Sequence, residues 1–126
     1  MIEHARLVVL FDQLTRSPLQ YFPPQGAKVS APERQGVYII YSPKKVVLHV
    51  GNTPRARGGI KQRLNDHMRG QSSFTRNYLK GDGARLRSGY GFRCLVVAKP
   101  RMRMLLEAYA IGHLCPKHIG LGQLKE

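Results

Sequence analysis

The stretch that decides the fold spans residues 36–51 and reads Gly36-Val37-Tyr38-Ile39-Ile40-Tyr41-Ser42-Pro43-Lys44-Lys45-Val46-Val47-Leu48-His49-Val50-Gly51. Two runs of β-branched and aromatic residues flank a Ser-Pro-Lys-Lys break, and this pattern predicts a β-hairpin with a short loop. A four-residue loop would set Tyr38 directly opposite His49, with their β-carbons about 5 Å apart. The hairpin therefore predicts that a phenol and an imidazole share one face of the sheet. The other face carries the residues expected in the core: Val37, Ile39, Tyr41, Val46, Leu48 and Val50.

The segments on either side of the hairpin predict helices and one further strand. Apolar residues recur every three or four positions in residues 2–16, and a connector with four prolines follows over residues 18–35. After the hairpin, two helices are predicted, one from Ile60 to Met68 or Arg69 and one over residues 72–80, and residues 91–98 alternate in the manner of a strand. These elements predict an α/β fold with a small three-stranded, mainly antiparallel sheet flanked by helices.

The last predicted helix begins at Pro100 and runs to about residue 114. Because it is apolar nearly all round, we expect it to be well buried. Glu107 is the lone acid in this run, and an ionised carboxylate in an apolar setting needs a cation or an arginine partner. The sequence leaves both options open, with Arg63 and Arg93 as the candidate arginines.

The length and composition are those of one globular domain. A chain of 126 residues with 42% hydrophobic residues can bury a modest core. We expect an N-terminal helix and Pro-rich connector over residues 1–35 packed on a main domain over residues 36–120, with a tail over 121–126. No run approaches the roughly 18 apolar residues of a membrane span and no leader opens the chain, which predicts a soluble cytoplasmic protein without a membrane partner.

The charge of the chain favours a nucleic-acid partner. Lys and Arg number 21 against 7 acidic residues, which gives a net charge of +14. A surface of that sign suits a polyphosphate, although a merely basic, ribosome-like protein would have the same composition. The basic residues are spread over several predicted elements, which argues against membrane binding through one amphipathic helix.

Two basic stretches are candidates for contact with nucleic acid. Gly58 and Gly59 precede a predicted helix, where they either leave backbone N–H groups available to a phosphate or form a flexible turn. Residues 81–90 form a basic loop spaced by glycines. The expected nucleic-acid contacts are Arg55, Arg57, Lys61, Arg76, Lys80, Arg85 and Arg87.

The hairpin carries two short words at equivalent ends of its strands, Gly36-Val37-Tyr38 and His49-Val50-Gly51. With Arg63, His67 and Glu107 in the expected order, the chain resembles the GIY-YIG nuclease superfamily over most of its length. In that family an arginine on the first helix is a signature residue, and some restriction enzymes have a histidine four residues later. The resemblance implies a metal-dependent DNA endonuclease whose catalytic residues are Tyr38, His49, Arg63, His67 and Glu107.

The resemblance also implies a role for each of these residues. Glu107 would hold one Mg²⁺ or Mn²⁺, and Arg63 would clamp the scissile phosphate. Tyr38 would activate the attacking water, helped by His49 or His67. A free phenol has a pKa near 10, so we expect Arg63 and the positive field to lower the pKa of Tyr38.

Two departures from the family pattern define an alternative function. Residue 49 is His where the second tripeptide usually begins with Tyr, and His118 or Ile119 stands where the family tends to have Asn. These departures favour a catalytically weak GIY-YIG-fold module that binds DNA or RNA. A homodimer would let one active site per chain cut both strands, and the sequence leaves the oligomeric state open.

Overall fold

The computed structural model describes residues 2–53 and 57–119, which form an α/β fold with an antiparallel sheet flanked by helices. This confirms the predicted fold class, but the sheet has four strands rather than three, in the order β1-β4-β2-β3. The expected tail over residues 121–126 lies outside the described residues. In chain order the elements are α1 (Ile2–Arg16), β1 (Gln20–Tyr21), β2 (Gly36–Tyr41), β3 (Val47–Asn52), α2 (Gly59–Met68), α3 (Ser73–Asn77), a 3-10 helix (Gly83–Arg87), β4 (Gly91–Val96) and α4 (Pro100–Leu114).

The additional strand, β1, lies in the Pro-rich connector and pairs with β4. Gln20 lies opposite Phe92, and Tyr21 lies opposite Gly91. A strand of two residues is too short to show the alternation by which strands are recognised in a sequence. Directly after β1, the buried Phe22 ring contacts the Phe92 ring, with 5.2 Å between centroids. The connector is therefore anchored to the sheet.

The register of the hairpin differs from the prediction. Tyr38 lies opposite Gly51, and His49 lies opposite Ile40. A loop one residue longer than predicted and a β-bulge between Ile40 and Tyr41 together shift the pairing by two residues. Because side chains alternate with a period of two, this shift leaves Tyr38 and His49 on the same face.

The sheet buries side chains on both of its faces. One core cluster lies against α2, α3 and the connector, and it includes Tyr38. The other lies against α1 and α4, and it includes the predicted core residues Val37, Ile39 and Val50. Two predicted core positions differ: Leu48 belongs to the Tyr38 cluster, and Val46 is 42% exposed. The bulge explains the position of Leu48, because it reverses the alternation at that point of β3.

Helix α4 is less buried than its composition predicts. It packs against α1, β2 and β3, and it buries Met102, Arg103, Leu106 and Ala110. Met104 is 64% exposed and Ala108 is also exposed, so the expectation of a well-buried helix is wrong. The reason is that α4 forms an outer layer, and only one of its sides can face the sheet. Glu107 lies between these two sides and is half-buried.

The N-terminus of α2 is closed by the connector. The backbone N–H of Ile60 donates to the Arg34 carbonyl at 2.9 Å, and that of Lys61 donates to the Pro32 carbonyl at 2.9 Å. Gly59 has φ of +64°, a left-handed conformation that glycine adopts without strain. The phosphate site considered for this glycine pair is therefore not formed, because connector carbonyls take these N–H groups.

Candidate functional site

The last glycine of the hairpin lies against the ring of Tyr38. A β-carbon on Gly51 would overlap the Tyr38 hydroxyl, and it would lie 2.6 Å from Tyr38 Cζ and 3.2 Å from His49 Nε2. Gly36 is similarly enclosed, because a β-carbon there would lie 2.6 Å from Ile60 Cδ1 and would overlap the Leu95 carbonyl oxygen. The two glycines of the tripeptides are thus required by close packing. Gly51 in particular makes room for the phenol.

Tyr38 and three histidines form a buried cluster, which we call the inner cluster: Tyr38, His49, His67 and His118. Tyr38 Oη lies 2.8 Å from His67 Nε2, within hydrogen-bond distance. The rings of Tyr38 and His49 have centroids 6.1 Å apart, so they share a patch diagonally rather than as opposed neighbours. Tyr38 is 1% exposed and His67 is fully buried. The structure therefore brings Tyr38, His49 and His67 together, as the sequence predicts.

Ser72 orients His67 from the other side of its ring. His67 Nδ1 lies 2.7 Å from Ser72 Oγ, which also accepts the backbone N–H of Thr75 and so caps α3. The Thr75 hydroxyl lies 2.9 Å from Ser72 Oγ. Sequence reasoning missed Ser72. A serine at a predicted helix start was the available signal, since such a residue commonly caps the helix.

The two departures from the family pattern contact each other. His49 Nδ1 and His118 Nδ1 are 3.1 Å apart, and one of the two must donate to the other. The backbone N–H of His118 donates to the Leu48 carbonyl at 2.8 Å, which fixes the segment after α4 along β3. Phe74 stacks on His49, with 4.9 Å between centroids. His118, one of the two residues considered for the position where the family tends to have Asn, is thus part of the inner cluster.

Burial keeps the inner cluster uncharged. It lowers the pKa of His49 to about 3, and it lowers the pKa of His67 well below the ordinary value of 6.5. Burial also raises the pKa of Tyr38, although the Arg63 guanidinium acts in the opposite direction. The expectation that nearby cations lower the pKa of Tyr38 is therefore wrong, because desolvation of the phenolate outweighs the attraction of Arg63.

Three residues near the inner cluster are more exposed than it is, and we call them the outer group: Arg63, Glu107 and Asn52. The Arg63 side chain is 31% exposed and forms a long ion pair with Asp66, at 3.9 Å. Its charge acts on Tyr38, His49 and His67, which shows that it lies beside the inner cluster.

Glu107 has an amide partner rather than an arginine. Asn52 Nδ2 donates to Glu107 Oε1 at 2.5 Å, and burial raises the pKa of Glu107. Arg93 instead donates to the carbonyls of Thr15 and Ser17, at 3.2 and 3.1 Å. In the described part of the chain neither Arg63 nor Arg93 forms an ion pair with Glu107. Both candidate arginines of the sequence analysis, Arg63 and Arg93, are therefore wrong as partners of Glu107.

The residues around Glu107 fit a hard divalent cation. Next to its carboxylate, Asn52 Oδ1 is buried without a hydrogen-bond partner among the described residues. Carboxylate and amide oxygens are the ligands that Mg²⁺ and Mn²⁺ prefer. Residues 2–53 and 57–119 contain no group of three or more His, Cys, Asp or Glu that could hold a metal ion. A cation here would therefore keep several water ligands, as Mg²⁺ commonly does.

Most of the predicted nucleic-acid contacts that the structure describes lie at the surface. Lys61 is partly exposed, and Arg57, Arg76, Lys80 and Arg85 are exposed. Arg55 lies outside the described residues.

Arg87 has a structural role that the sequence did not predict. Its Nη1 donates to the carbonyls of Pro23, Pro24 and Ala27 at 2.6 to 3.1 Å, and thereby holds the connector.

The chain resembles solved structures of a nuclease domain. The chain is similar to the GIY-YIG N-terminal endonuclease domain of UvrC from Thermotoga maritima bound to magnesium, its catalytic divalent cation. The two share 27% identity with a TM-score of 0.50, over 69% of this chain and 84% of that chain. An asparagine-to-alanine point mutant of that domain, also bound to its catalytic divalent cation, matches with 27% identity and a TM-score of 0.50 over 69% of this chain and 83% of that chain.

Sequence comparisons identify no relative of the chain. No protein-family model matches the chain, and neither does any curated protein. Within the described residues, no helix has the length and apolar character needed to cross a membrane.

Proposed function

Since the chain has a GIY-YIG-like fold, we propose that it is a divalent-metal-dependent DNA endonuclease that hydrolyses phosphodiester bonds. One observation carries this proposal: Tyr38 on β2, Arg63 and His67 on α2 and Glu107 on α4 come from three separate segments, yet the charges of Arg63 and Glu107 both act on Tyr38, and Tyr38 is within hydrogen-bond distance of His67. The uncharged Tyr38 and His67 lie behind two charged groups that reach the surface. The magnesium-bound UvrC domain supports the choice of reaction and of cofactor.

The outer group would bind the reacting phosphate. Arg63, which is partly exposed and 3.9 Å from its ion-pair partner Asp66, would contact its non-bridging oxygens and neutralise the charge that develops in the transition state. Glu107, with Asn52 beside it, would hold one Mg²⁺ or Mn²⁺. When bound, such a cation supplies Lewis-acid polarisation of the phosphate.

The inner cluster would move the proton of the attacking water. Water forms the new P–O bond, and the leaving oxygen departs with the electron pair of the broken P–O bond and takes a proton from solvent. Because burial raises the pKa of Tyr38, its hydroxyl accepts a proton only as it passes its own to His67 Nε2. Ser72 would fix the tautomer of His67 through Nδ1. In this scheme His49 transfers no proton. It packs against the rings of Tyr38 and His67 and contacts His118.

The basic surface would bind the DNA backbone. Arg57, Arg76 and Lys80 are exposed, as is Arg85 on the 3-10 helix, and Lys61 is partly exposed. Contacts of this kind carry no sequence information and weaken steeply as salt rises. Substrate choice would therefore depend on DNA shape, and RNA with the same backbone charge is the competitor to test.

A second candidate is a module of this fold that binds nucleic acid and cuts it weakly or not at all. The observation that favours it is the burial of both proton-transfer groups. Tyr38 is 1% exposed, and the shifts in the pKa of Tyr38 and His67 both oppose charged forms. In this case the basic surface remains and the proton path is inactive.

The two candidates are separated by cleavage of supercoiled plasmid with Mg²⁺, with Mn²⁺ and with EDTA. For the nuclease, we expect metal-dependent nicking that is lost in Glu107→Gln and in Tyr38→Phe. The matched control is Glu3→Gln, which removes an exposed carboxylate that pairs with Arg101 away from the site. DNA binding that falls steeply with salt, without cleavage under any condition, would establish the binding module instead.

The arrangement of the whole chain is also part of this proposal. Residues 36–120 would form the catalytic unit, and residues 1–35 would support it through contacts of α1 with α4 and β4. The cytoplasm as its compartment stays a prediction.

A further inference from the structure

Asn52 is placed by the sheet beside Glu107. It is the last residue of β3, directly after Gly51, and it lies opposite Val37. Since side chains alternate along a strand, Asn52 points to the α4 side of the sheet, away from the inner cluster. Its amide nitrogen reaches Glu107 Oε1 on α4 at 2.5 Å.

The other end of the Asn52 amide is unusual. Its Oδ1 is buried and has no hydrogen-bond partner among the described residues, whereas buried polar atoms in proteins nearly always have one. Arg93 Nε is the other such atom in the described part of the chain, and it lies on a different strand. Because this oxygen has no partner, it gives up no hydrogen bond when the amide turns, and it is available to a cation or a water molecule.

A rotation of the Asn52 side-chain amide exchanges the positions of its nitrogen and its oxygen. Turning the Asn52 side-chain amide by half a turn exchanges Nδ2 and Oδ1, so that Oδ1 faces the Glu107 carboxylate. Two oxygen atoms at that separation repel each other unless a cation or a proton lies between them. The amide can therefore donate to Glu107 when no cation is bound and can present an oxygen when one is.

We propose that Asn52 Oδ1 is the second protein ligand of the divalent cation held by Glu107. This inference rests on the proposed function for the presence of a cation, and it adds a ligand that lies outside both tripeptides. Two protein oxygens with water completing the shell is the arrangement that Mg²⁺ and Mn²⁺ commonly take, because these ions give up water reluctantly. The outer group then consists of a phosphate-binding Arg63 and a two-oxygen cation site.

The test is Mn²⁺ binding to the full chain without DNA, measured from the electron paramagnetic resonance signal of unbound Mn²⁺. We expect Asn52→Ala to weaken Mn²⁺ binding tenfold or more. We expect Asn52→Asp, which keeps an oxygen and adds a charge, to bind Mn²⁺ more tightly than the wild type. The matched control is Asn77→Ala on α3, an exposed asparagine, which should leave binding unchanged. Circular dichroism checks that each variant folds. If Asn52→Ala does not fold, the Mn²⁺ affinity of Asn52→Asp still tests the proposal.

Two results would overturn the proposal. Equal Mn²⁺ affinity for wild type and Asn52→Ala excludes a ligand role, as does the absence of Mn²⁺ binding by the wild type. Weakening by both Asn52→Ala and Asn52→Asp assigns Asn52 only the positioning of Glu107 through its N–H, which also contradicts a ligand oxygen. Plasmid cleavage is read separately. Cleavage without Asn52-dependent Mn²⁺ binding refutes this inference alone, and Asn52-dependent binding without cleavage refutes the nuclease alone.

Discussion

The inner cluster and the outer group lie side by side but differ in burial and in how many of their polar atoms have partners. In the inner cluster, polar atoms of Tyr38 and His67 have partners, the groups are buried and burial disfavours their charged forms. In the outer group, Arg63 is partly exposed with a long ion pair, and Asn52 has an unpartnered oxygen. The comparison teaches that binding capacity lies in the outer group. The polar atoms of the inner cluster are already paired and buried, which is the arrangement that the proposed proton path requires.

At neutral pH, the largest expected effect comes from overfilling the inner cluster with Gly51→Ala. The new β-carbon overlaps the Tyr38 hydroxyl, so we expect a loss of about 3 kcal/mol in the free energy of unfolding and loss of any cleavage. Urea denaturation measures the first and plasmid nicking the second. The matched control is Gly112→Ala on α4, where nothing lies within 4 Å, and it should stabilise the protein by up to about 1 kcal/mol. Equal stability of the two variants would show that Gly51 is not tightly enclosed.

The next effect is a loss of folding stability in acid, which arises from the buried histidines of the inner cluster. The pKa of His49 is about 3 in the folded protein and 6.5 in its ordinary state, so below pH 6.5 the unfolded chain binds a proton that the folded chain does not. Stability is therefore complete above pH 6.5 and is lost as the pH falls towards 3, by about 1.4 kcal/mol per pH unit for this histidine.

His67 has the same sign of shift and adds to this loss. Urea denaturation between pH 7 and pH 4 measures the slope for wild type and His49→Gln. The variant should have the shallower slope. An unchanged slope would mean that His49 does not stay neutral in the folded protein.

A smaller effect is expected from Ser72→Ala, at the end of the inner cluster. It removes the cap of α3 and the partner of His67 Nδ1, so we expect a loss of about 1 to 2 kcal/mol in stability. Ser73→Ala, at the first residue of α3, is the neighbouring control and should cost less than about 0.5 kcal/mol. A cleavage rate that falls in Ser72→Ala and not in Ser73→Ala would support the proton path through His67. Equal rates would remove Ser72 from it.

The smallest effect on stability is expected in the outer group, from Glu107→Gln. Because burial raises the pKa of Glu107, its ionised form already costs stability, and glutamine still accepts the Asn52 N–H. We expect stability to change by no more than about 0.5 kcal/mol while Mn²⁺ binding and metal-dependent cleavage are lost. Thermal unfolding and Mn²⁺ titration on the same sample test this. A loss of 2 kcal/mol or more in the free energy of unfolding would show that Glu107 stabilises the fold, as the residues of the inner cluster do.

Prediction from sequence succeeded where the signal is local. Helix α1 has the predicted bounds, and α2 ends within a residue or two of the predicted position. Tyr38 and His49 share a face despite the wrong register, because a shift of two residues preserves the side on which a side chain lies. The two-residue strand β1 was missed because so short a segment has no periodicity.

The sequence predicted individual residues of the candidate site, but it did not predict which of them contact each other. His49 and His118 were noted as separate departures, yet they are hydrogen-bonded across 69 positions of sequence. Likewise, Glu107 was expected to need a partner, and the partner is an asparagine 55 positions away. No pattern of spacing links residues that far apart, because their contact depends on how α4 and the segment after it lie along β3.

Local sequence was enough to predict the hairpin, helices α1, α2 and α4, the positive charge and five residues of the candidate site: Tyr38, His49, Arg63, His67 and Glu107. These follow from local periodicity and from side-chain chemistry, which each segment carries with it. The tertiary structure alone decided that the connector closes α2, that burial outweighs Arg63 at Tyr38, and that Asn52 rather than an arginine lies beside Glu107. Burial and long-range pairing are properties of the packed chain, since they depend on the distance between atoms that no single segment contains.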